Sequence, residues 1–278
     1  MAECYNEDKE KRKEKIVENQ SKAIYKDDFA QYLLCLALDV GEGLLKAGGE
    51  VSRVEDTIER ICYAYGAAHV EVFTIISVIN AAIRMPDGSY SSQLRRVRHS
   101  TTDLGGIERY NALSREICAT TPELSVFDEK IAAVKRKKSY PIWVHYLASA
   151  GAASAFALFF SGGWRDAVAA ALAGIIIALV IHYARDRLDG LAETLIAALL
   201  TTLLSVLLVR TGFLADGGAV MIGSIMLLVP GLSFGTALRD LLNGDLLAGM
   251  MKLLQAVLLA LMIAFGYILG VSITGGVV

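Results

Sequence analysis

The sequence predicts a cytoplasmic α+β domain followed by an all-α polytopic membrane bundle of five transmembrane helices. Three observations carry that expectation. The 278 residues are 54% hydrophobic with a mean hydropathy of +0.48, more apolar than an ordinary globular chain. Charge is split unevenly, because residues 1–140 hold 21 of the 27 Lys and Arg and 22 of the 29 Asp and Glu. Uncharged runs long enough for a helix to cross roughly 30 Å of hydrocarbon occur only after residue 140. The expected organisation is a disordered, charged leader over 1–27, the cytoplasmic domain over 28–140 and the five-span domain over 141–278.

The leader contains NEDKEKRKEK and no apolar run, so no signal peptide is expected. After it, FAQYLLCLALDVGEGLLKAGGE has apolar residues at helical spacing and stops at Gly48-Gly49, where a helix commonly ends in a left-handed residue. Ser52 and Glu55 stand at capping-box spacing at the head of SRVEDTIERICYAYG. Val54, Ile58, Ile61, Cys62 and Tyr65 form its apolar stripe, and Gly66 closes it. The period then changes: residues 69–73 alternate, residues 74–83 are nearly all apolar, and Met85-Pro86-Asp87-Gly88-Ser89 is turn chemistry. Two strands around that turn are expected, the second running through Leu94 to Arg98. Helices resume with Thr102-Asp103 capping LGGIERYNALSREI, and again with Thr121-Pro122, where proline suits a first helical position.

Five spans are expected, at residues 143–160, 167–184, 191–209, 218–234 and 253–269. Lys and Arg beside them number eight on one side and two on the other, which puts the first domain in the cytoplasm and the C-terminus outside. Small residues along the spans (Ala150-Gly151-Ala152-Ala153, residues 169–174, Thr201-Thr202) predict close helix packing.

Several function classes lose support. A net charge of −2 with interleaved signs gives nucleic acid no basic surface. Cys4, Cys35, Cys62 and Cys118 are too widely spaced for paired metal ligands and read as free thiols. There is no phosphate-binding glycine loop, GxSxG or HExxH, so neither an enzyme nor a cofactor or metal is expected.

From about Phe29 onward the chain resembles the threonine/serine exporter family, specifically its N-terminal half. The residues that carry the likeness are Gly48, Ser52-Arg53-Val54-Glu55-Asp56, Val70-Glu71-Val72-Phe73, Arg95-Arg96-Val97, Thr102-Asp103-Leu104, Asn111 with Leu113-Ser114-Arg115, Val229-Pro230-Gly231, Arg239-Asp240-Leu241-Leu242 and Gly244-Asp245. The resemblance implies a cytoplasmic domain and five spans, completed by a second group of four or five spans that is fused or supplied as a separate small membrane protein. This chain resembles the split form, so a separate partner and a hetero-oligomer in the plasma membrane are expected. Fused members are associated with threonine and serine export and split pairs with succinate, so both amino acids and dicarboxylates stand as solutes. A membrane-tethered sensor or scaffold is the alternative from another class.

The transport-site candidates are Pro230, Gly231, Arg239, Asp240, Asp245 and Glu193. Pro230-Gly231 reads either as a tolerated kink or as a discontinuous helix with exposed backbone groups for a solute. Arg239 either serves the charge asymmetry of the loops or attracts a substrate carboxylate, with Asp240 or Asp245 exchanging a proton. Asn243-Gly244-Asp245 also reads as a plain turn. Glu193 reads as an interfacial residue or a site residue inside the third span. On the inferred topology Arg239 to Asp245 lie on the cytoplasmic side, as an inner gate, unless the segment after Gly231 is re-entrant. In the first domain Arg53, Glu55, Arg95, Arg96 and Asp103 are candidates for a polar cluster, against a reading as salt-bridged surface.

Overall fold

The computed structural model describes residues 29–98, 100–136, 140–184, 188–214 and 217–275. The expected leader lies outside them, as do Lys137, Lys138, Arg185 and Arg187, four of the cations that orient the spans. The described residues form two compact units. One draws on Met1–Lys137 together with Thr236–Met251, the other on Lys138–Gly235 together with Lys252–Val278. The sequence reading closes the first domain at 140, whereas this unit also takes in a segment from late in the chain.

In the first unit, α1 (Phe29–Lys46) is apolar on almost every side and is buried almost throughout. It ends as its glycines require. Gly49 donates to the Leu44 carbonyl (2.9 Å), Gly48 to that of Leu45 (3.1 Å), and Gly48 takes φ +87°. The next helix, α2 (Val51–Ala64), buries Val54, Ile58, Ile61 and Cys62, and Gly66 follows it at φ +86°. The capping box is not formed. The helix starts one residue ahead of Ser52, its N-cap is Glu50, and no side chain caps the backbone there.

A second correction concerns the sheet. Three strands, β1 (His69–Ile75), β2 (Val78–Arg84) and β3 (Tyr90–Arg96), form an antiparallel meander in the order β1-β2-β3. The apolar run expected to be one strand is the β1-β2 hairpin, with Ile75 opposite Val78 and only Ile76-Ser77 between them. That turn contains no Gly, Asn, Asp or Pro and no positive φ, and Ser77 is the weak turn signal it carries. The expected turn at residues 85–89 is present between β2 and β3, with Gly88 at φ +89° and Asp87 accepting from the Ser89 amide (2.8 Å). The inward face of the sheet carries Val70, Thr74, Ile79, Ala81, Ile83 and Ser91. It packs on α1 and α2.

The unit continues with α3 (Leu104–Thr120) and α4 (Leu124–Arg136). Asp103 caps α3 as expected, accepting from the Gly106 amide at 2.8 Å. Thr121-Pro122 does not open a helix. Thr121 is left-handed at φ 38° and terminates α3, and α4 begins at Leu124. Tyr65 donates to the Pro122 carbonyl (2.7 Å) and stacks on the buried Phe127 at 6.2 Å, which fixes this corner onto the end of α2.

The second unit is helical: α5 (Ile142–Phe159), α6 (Trp164–Ala184), α7 (Gly190–Arg210), α8 (Gly218–Leu228), then α9 (Gly231–Leu242) and α10 (Leu246–Ile273), of which Thr236–Met251 groups with the first unit. Among the described residues α5, α6, α7 and α10 are each long and apolar enough to cross a membrane. The count is five if α8 and α9, bent by 47° at the break between them, make one span. The chain is a multi-pass membrane protein. Its buried residues in this unit are mostly small, among them Ala153, Ala157, Ala169, Ala170, Ala173, Gly174, Ala197, Thr201 and Gly223, with Ile177, Val206, Val220 and Met221 as larger exceptions.

Candidate functional site

The break between α8 and α9 follows from proline's geometry. Val229, as the residue before proline, is extended (φ −61°, ψ 124°), and its amide closes α8 on the Ile225 carbonyl at 3.1 Å. The Pro230 carbonyl accepts from the Phe234 amide (2.9 Å) and starts α9. A Cβ added at Gly231 or Gly235 would meet nothing within 4 Å. Packing therefore does not demand glycine at either place, and the opening of α9 presents bare backbone.

The other end of α9 is closed by a left-handed glycine. Gly244 takes φ +95°, donates to the Leu241 carbonyl (3.2 Å), and lets Asp245 donate to that of Asp240 (2.9 Å). The turn reading of Asn243-Gly244-Asp245 is thus met by the backbone. Asp240 faces inward and is fully buried, while Arg239 and Asn243 are exposed.

This charged end meets the first turn of α2 within one unit. Arg239 forms an ion pair and hydrogen bond with Glu50, 189 residues earlier, and Asn243 Nδ2 donates to Ser52 Oγ at 3.3 Å. Arg53 lies 4.0 Å from the other oxygen of Glu50. One turn further along α2, Glu55 accepts from the Thr74 amide of β1 at 2.6 Å. Burial pushes the Glu55 carboxyl up to about 6, and the negative charges of Asp245 and Glu59 push in the same direction. Ser52 and Glu55 therefore spend their side chains on tertiary contacts.

The remaining candidates do not gather into one cluster. Arg95 points from the inward face of β3 to α1, where its Nη2 donates to Cys35 Sγ (2.9 Å) and lies 3.5 Å from the buried Asp39. Asp103 caps α3 and pairs with Arg109 at 3.1 Å. Arg96 is exposed on the opposite face of β3. Glu193 stands in the first turn of α7 in the other unit, where a carboxylate complements the helix dipole.

Three participants were not anticipated. Glu50 follows Gly48-Gly49 directly and holds Arg239, and Asn243 holds Ser52. Asp39 binds both Arg95 and Lys135 Nζ, the latter at 2.8 Å. Asp39 did leave a signal, an acid in the middle of the apolar run LLCLALDVG, which requires a cation partner when that helix is buried.

Comparison with known proteins agrees with this architecture. The family model ThrE, described as "Putative threonine/serine exporter", matches residues 35–274. The chain is 24% identical over 243 residues, 85% of its length, to a "Probable threonine/serine exporter" of Mycobacterium tuberculosis, and covers 45% of that protein. It is also 24% identical over 150 residues, 52% of its length, to "Pheromone-regulated membrane protein 10" of Debaryomyces hansenii, covering 15% of it. The chain thus spans under half the length of either relative. No solved structure matches it. With the family match running from α1 to the end of α10 and through both charged segments that meet at α2, the chain belongs to the threonine/serine exporter family.

Proposed function

We propose that this chain is a subunit of a secondary transporter that exports small hydrophilic amino acids, threonine and serine, from the cytoplasm. A separate membrane protein of about four or five spans completes it. The observation that carries the reading is the junction of α9 and α10 on α2. Because Arg239 and Asn243 touch the α+β unit, they occupy whichever membrane face that unit occupies, and the distribution of Lys and Arg supports reading that face as the inside. A broken helix whose far end is tied to the cytoplasmic domain suits an inner gate. The bare backbone after Pro230 offers hydrogen bonds to a solute, and Arg239 attracts a carboxylate toward it. Glu55, Asp240 and Asp245 are the carboxylates available to couple loading to a proton.

The test is efflux from cells preloaded with serine, threonine or succinate, with and without the partner. The expected result is faster loss of serine and threonine in cells holding both proteins, slowed several-fold by Asp240→Asn. Faster loss of succinate alone would replace the amino acids by a dicarboxylate. Unchanged efflux of all three, with both proteins confirmed in the membrane, would overturn the reading.

A further inference from the structure

The α+β unit contains a cavity of about 230 Å³ that none of the transport-site candidates lines. It lies where the chain between β3 and α3 is stitched back onto the end of α1, the Thr101 amide donating to Lys46 O (2.8 Å) and the Asp103 amide to Ala47 O (3.0 Å). Tyr110 of α3 reaches across this opening over Gly43. A Cβ there would stand 2.2 Å from the hydroxyl-bearing carbon of the ring, so only glycine leaves the tyrosine its place. The chemistry-bearing groups on the wall are Lys46, Thr101, Asp103, Arg109, Tyr110 and Lys135.

These groups are mostly donors, and the cations among them are held by nearby carboxylates. Lys46 pairs with Glu42 (2.5 Å), Arg109 with Asp103 (3.1 Å) and Lys135 with Asp39 (2.8 Å). Asp39 is also the carboxylate beside Arg95, so two cations lean on this one acid. The Arg109 Nε is shielded from solvent and has no hydrogen-bond partner among the described residues, an arrangement that is costly for a guanidinium donor unless something fills it. The structure gives the Tyr110 hydroxyl no hydrogen bond among the described residues either, and burial pushes its pKa up, which keeps it a donor. Asp103, the one acid on the wall, is already committed to the Gly106 amide and to Arg109. The space is smaller than the roughly 300–1,000 Å³ typical of sites for drug-sized ligands, so it suits a small metabolite.

We propose that this cavity binds a small carboxylate, its oxygens taken by the Arg109 guanidinium and the Tyr110 hydroxyl, with Lys46 and Lys135 compensating its charge. An amino acid and a four-carbon dicarboxylate share this chemistry. The site would let the α+β unit sense the level of such a solute apart from the path that moves it.

The test uses the full chain in lipid nanodiscs, titrated separately with serine, threonine, succinate and inorganic phosphate while amide hydrogen exchange is followed. The expected result is saturable slowing of exchange over residues 43–47 and 101–110 by a carboxylate, and the arm that saturates at the lowest concentration identifies its source. Arg109→Lys keeps the charge but loses the planar fork, and is expected to weaken binding about tenfold. Tyr110→Phe removes one hydroxyl and is expected to weaken it several-fold. Should Arg109→Lys fail to fold, Tyr110→Phe alone decides. The proposal is overturned if no carboxylate protects those amides, if phosphate protects them as well as any carboxylate does, or if the folded variants bind like the wild type. Such a failure leaves the export reading untouched, because none of these residues belongs to a membrane helix.

Discussion

In the α+β unit the fully buried side chains are large: Phe127, Leu33, Leu36, Ile58, Ile79, Ile117 and Ile131. In the membrane unit most are small, Ala153, Ala157, Ala169, Ala173, Ala197 and Ser205 beside a few such as Val206, Val220 and Ile177, while Leu172, Leu200, Leu254 and Phe265 are turned outward. The inversion shows which solvent each unit was folded against. In water, removing large apolar area is the main gain, so the biggest side chains go inside. Lipid tails accept leucine as readily as another helix does, so a helix pair gains only by close approach, and small residues allow it. Gly174 and Gly223 mark the limit, since an added Cβ would stand 2.4 Å from the Ser149 carbonyl oxygen and 2.9 Å from that of Ala153.

The sharpest way to break this comparison is to truncate one large side chain in each unit. Phe127→Ala should destabilise the α+β unit by about 3–5 kcal/mol. Leu254→Ala, at a side chain 60% exposed, should change stability by less than about 0.5 kcal/mol. The readout is thiol labelling of Cys62 for the first substitution and thermal unfolding in nanodiscs for the second, because Cys62 lies in the α+β unit. Burial pushes this thiol up to about 12, so it reacts only once the unit opens. Equal effects of the two substitutions would mean that the outward leucines of the membrane unit pack as a core.

Enlarging a glycine probes the other half of the comparison. Gly174→Val must displace backbone rather than a flexible side chain, and should cost about 1–3 kcal/mol or prevent assembly. Gly231→Ala, with open space around the added methyl, should stay within about 0.5 kcal/mol. Thermal unfolding in nanodiscs distinguishes them, and a Gly174→Val protein as stable as wild type would refute close packing at that crossing.

A pH titration tests Glu55, where the α+β unit receives the end of α9. Burial and neighbouring acids raise its pKa from 4.5 to about 6, so the folded protein holds a proton that the unfolded chain has released. The stabilisation tied to that proton is complete below about pH 4.5 and lost as the pH rises to about 6. For this half-buried group, after solvent screening, the loss should be on the order of 1 kcal/mol. Glu55→Gln should flatten the fall in melting temperature across that window while leaving the Thr74 amide an acceptor. A slope that survives the substitution would assign the effect to another group.

A small stability effect is expected at the Arg239-Glu50 pair, whose arginine is exposed. Arg239→Ala should cost only about 0.2–1 kcal/mol. If the pair belongs to an inner gate, the same substitution should alter serine efflux several-fold. Normal efflux alongside the small stability loss would reduce the pair to a surface contact.

Much of this was legible in the chain before folding, and the exceptions are specific. Gly48, Gly66 and Gly88 announced left-handed residues, Asp103 a helix cap, and Pro230-Gly231 a helix break, each through its own backbone chemistry. The turn at Ile76-Ser77 was hidden because side-chain pairing across β1 and β2, and not the turn residues, sets that hairpin's register. Ser52 and Glu55 had the spacing of a capping box, yet Asn243 and the Thr74 amide engage them instead.

What the sequence determined by itself is therefore local: where helices start, stop and break, which runs are long and apolar enough for a membrane, and which residues are small enough to let helices approach. Those properties depend on backbone conformation and on periodicity within a few turns. Only the tertiary structure decided that Arg239 meets Glu50, that Asp39 gathers Arg95 and Lys135, and that residues 236–251 fold with the α+β unit. A charge on one element carries no local record of which distant charge will face it. That choice is made when elements pack, because a buried or half-buried charge must then find a partner or be neutralised.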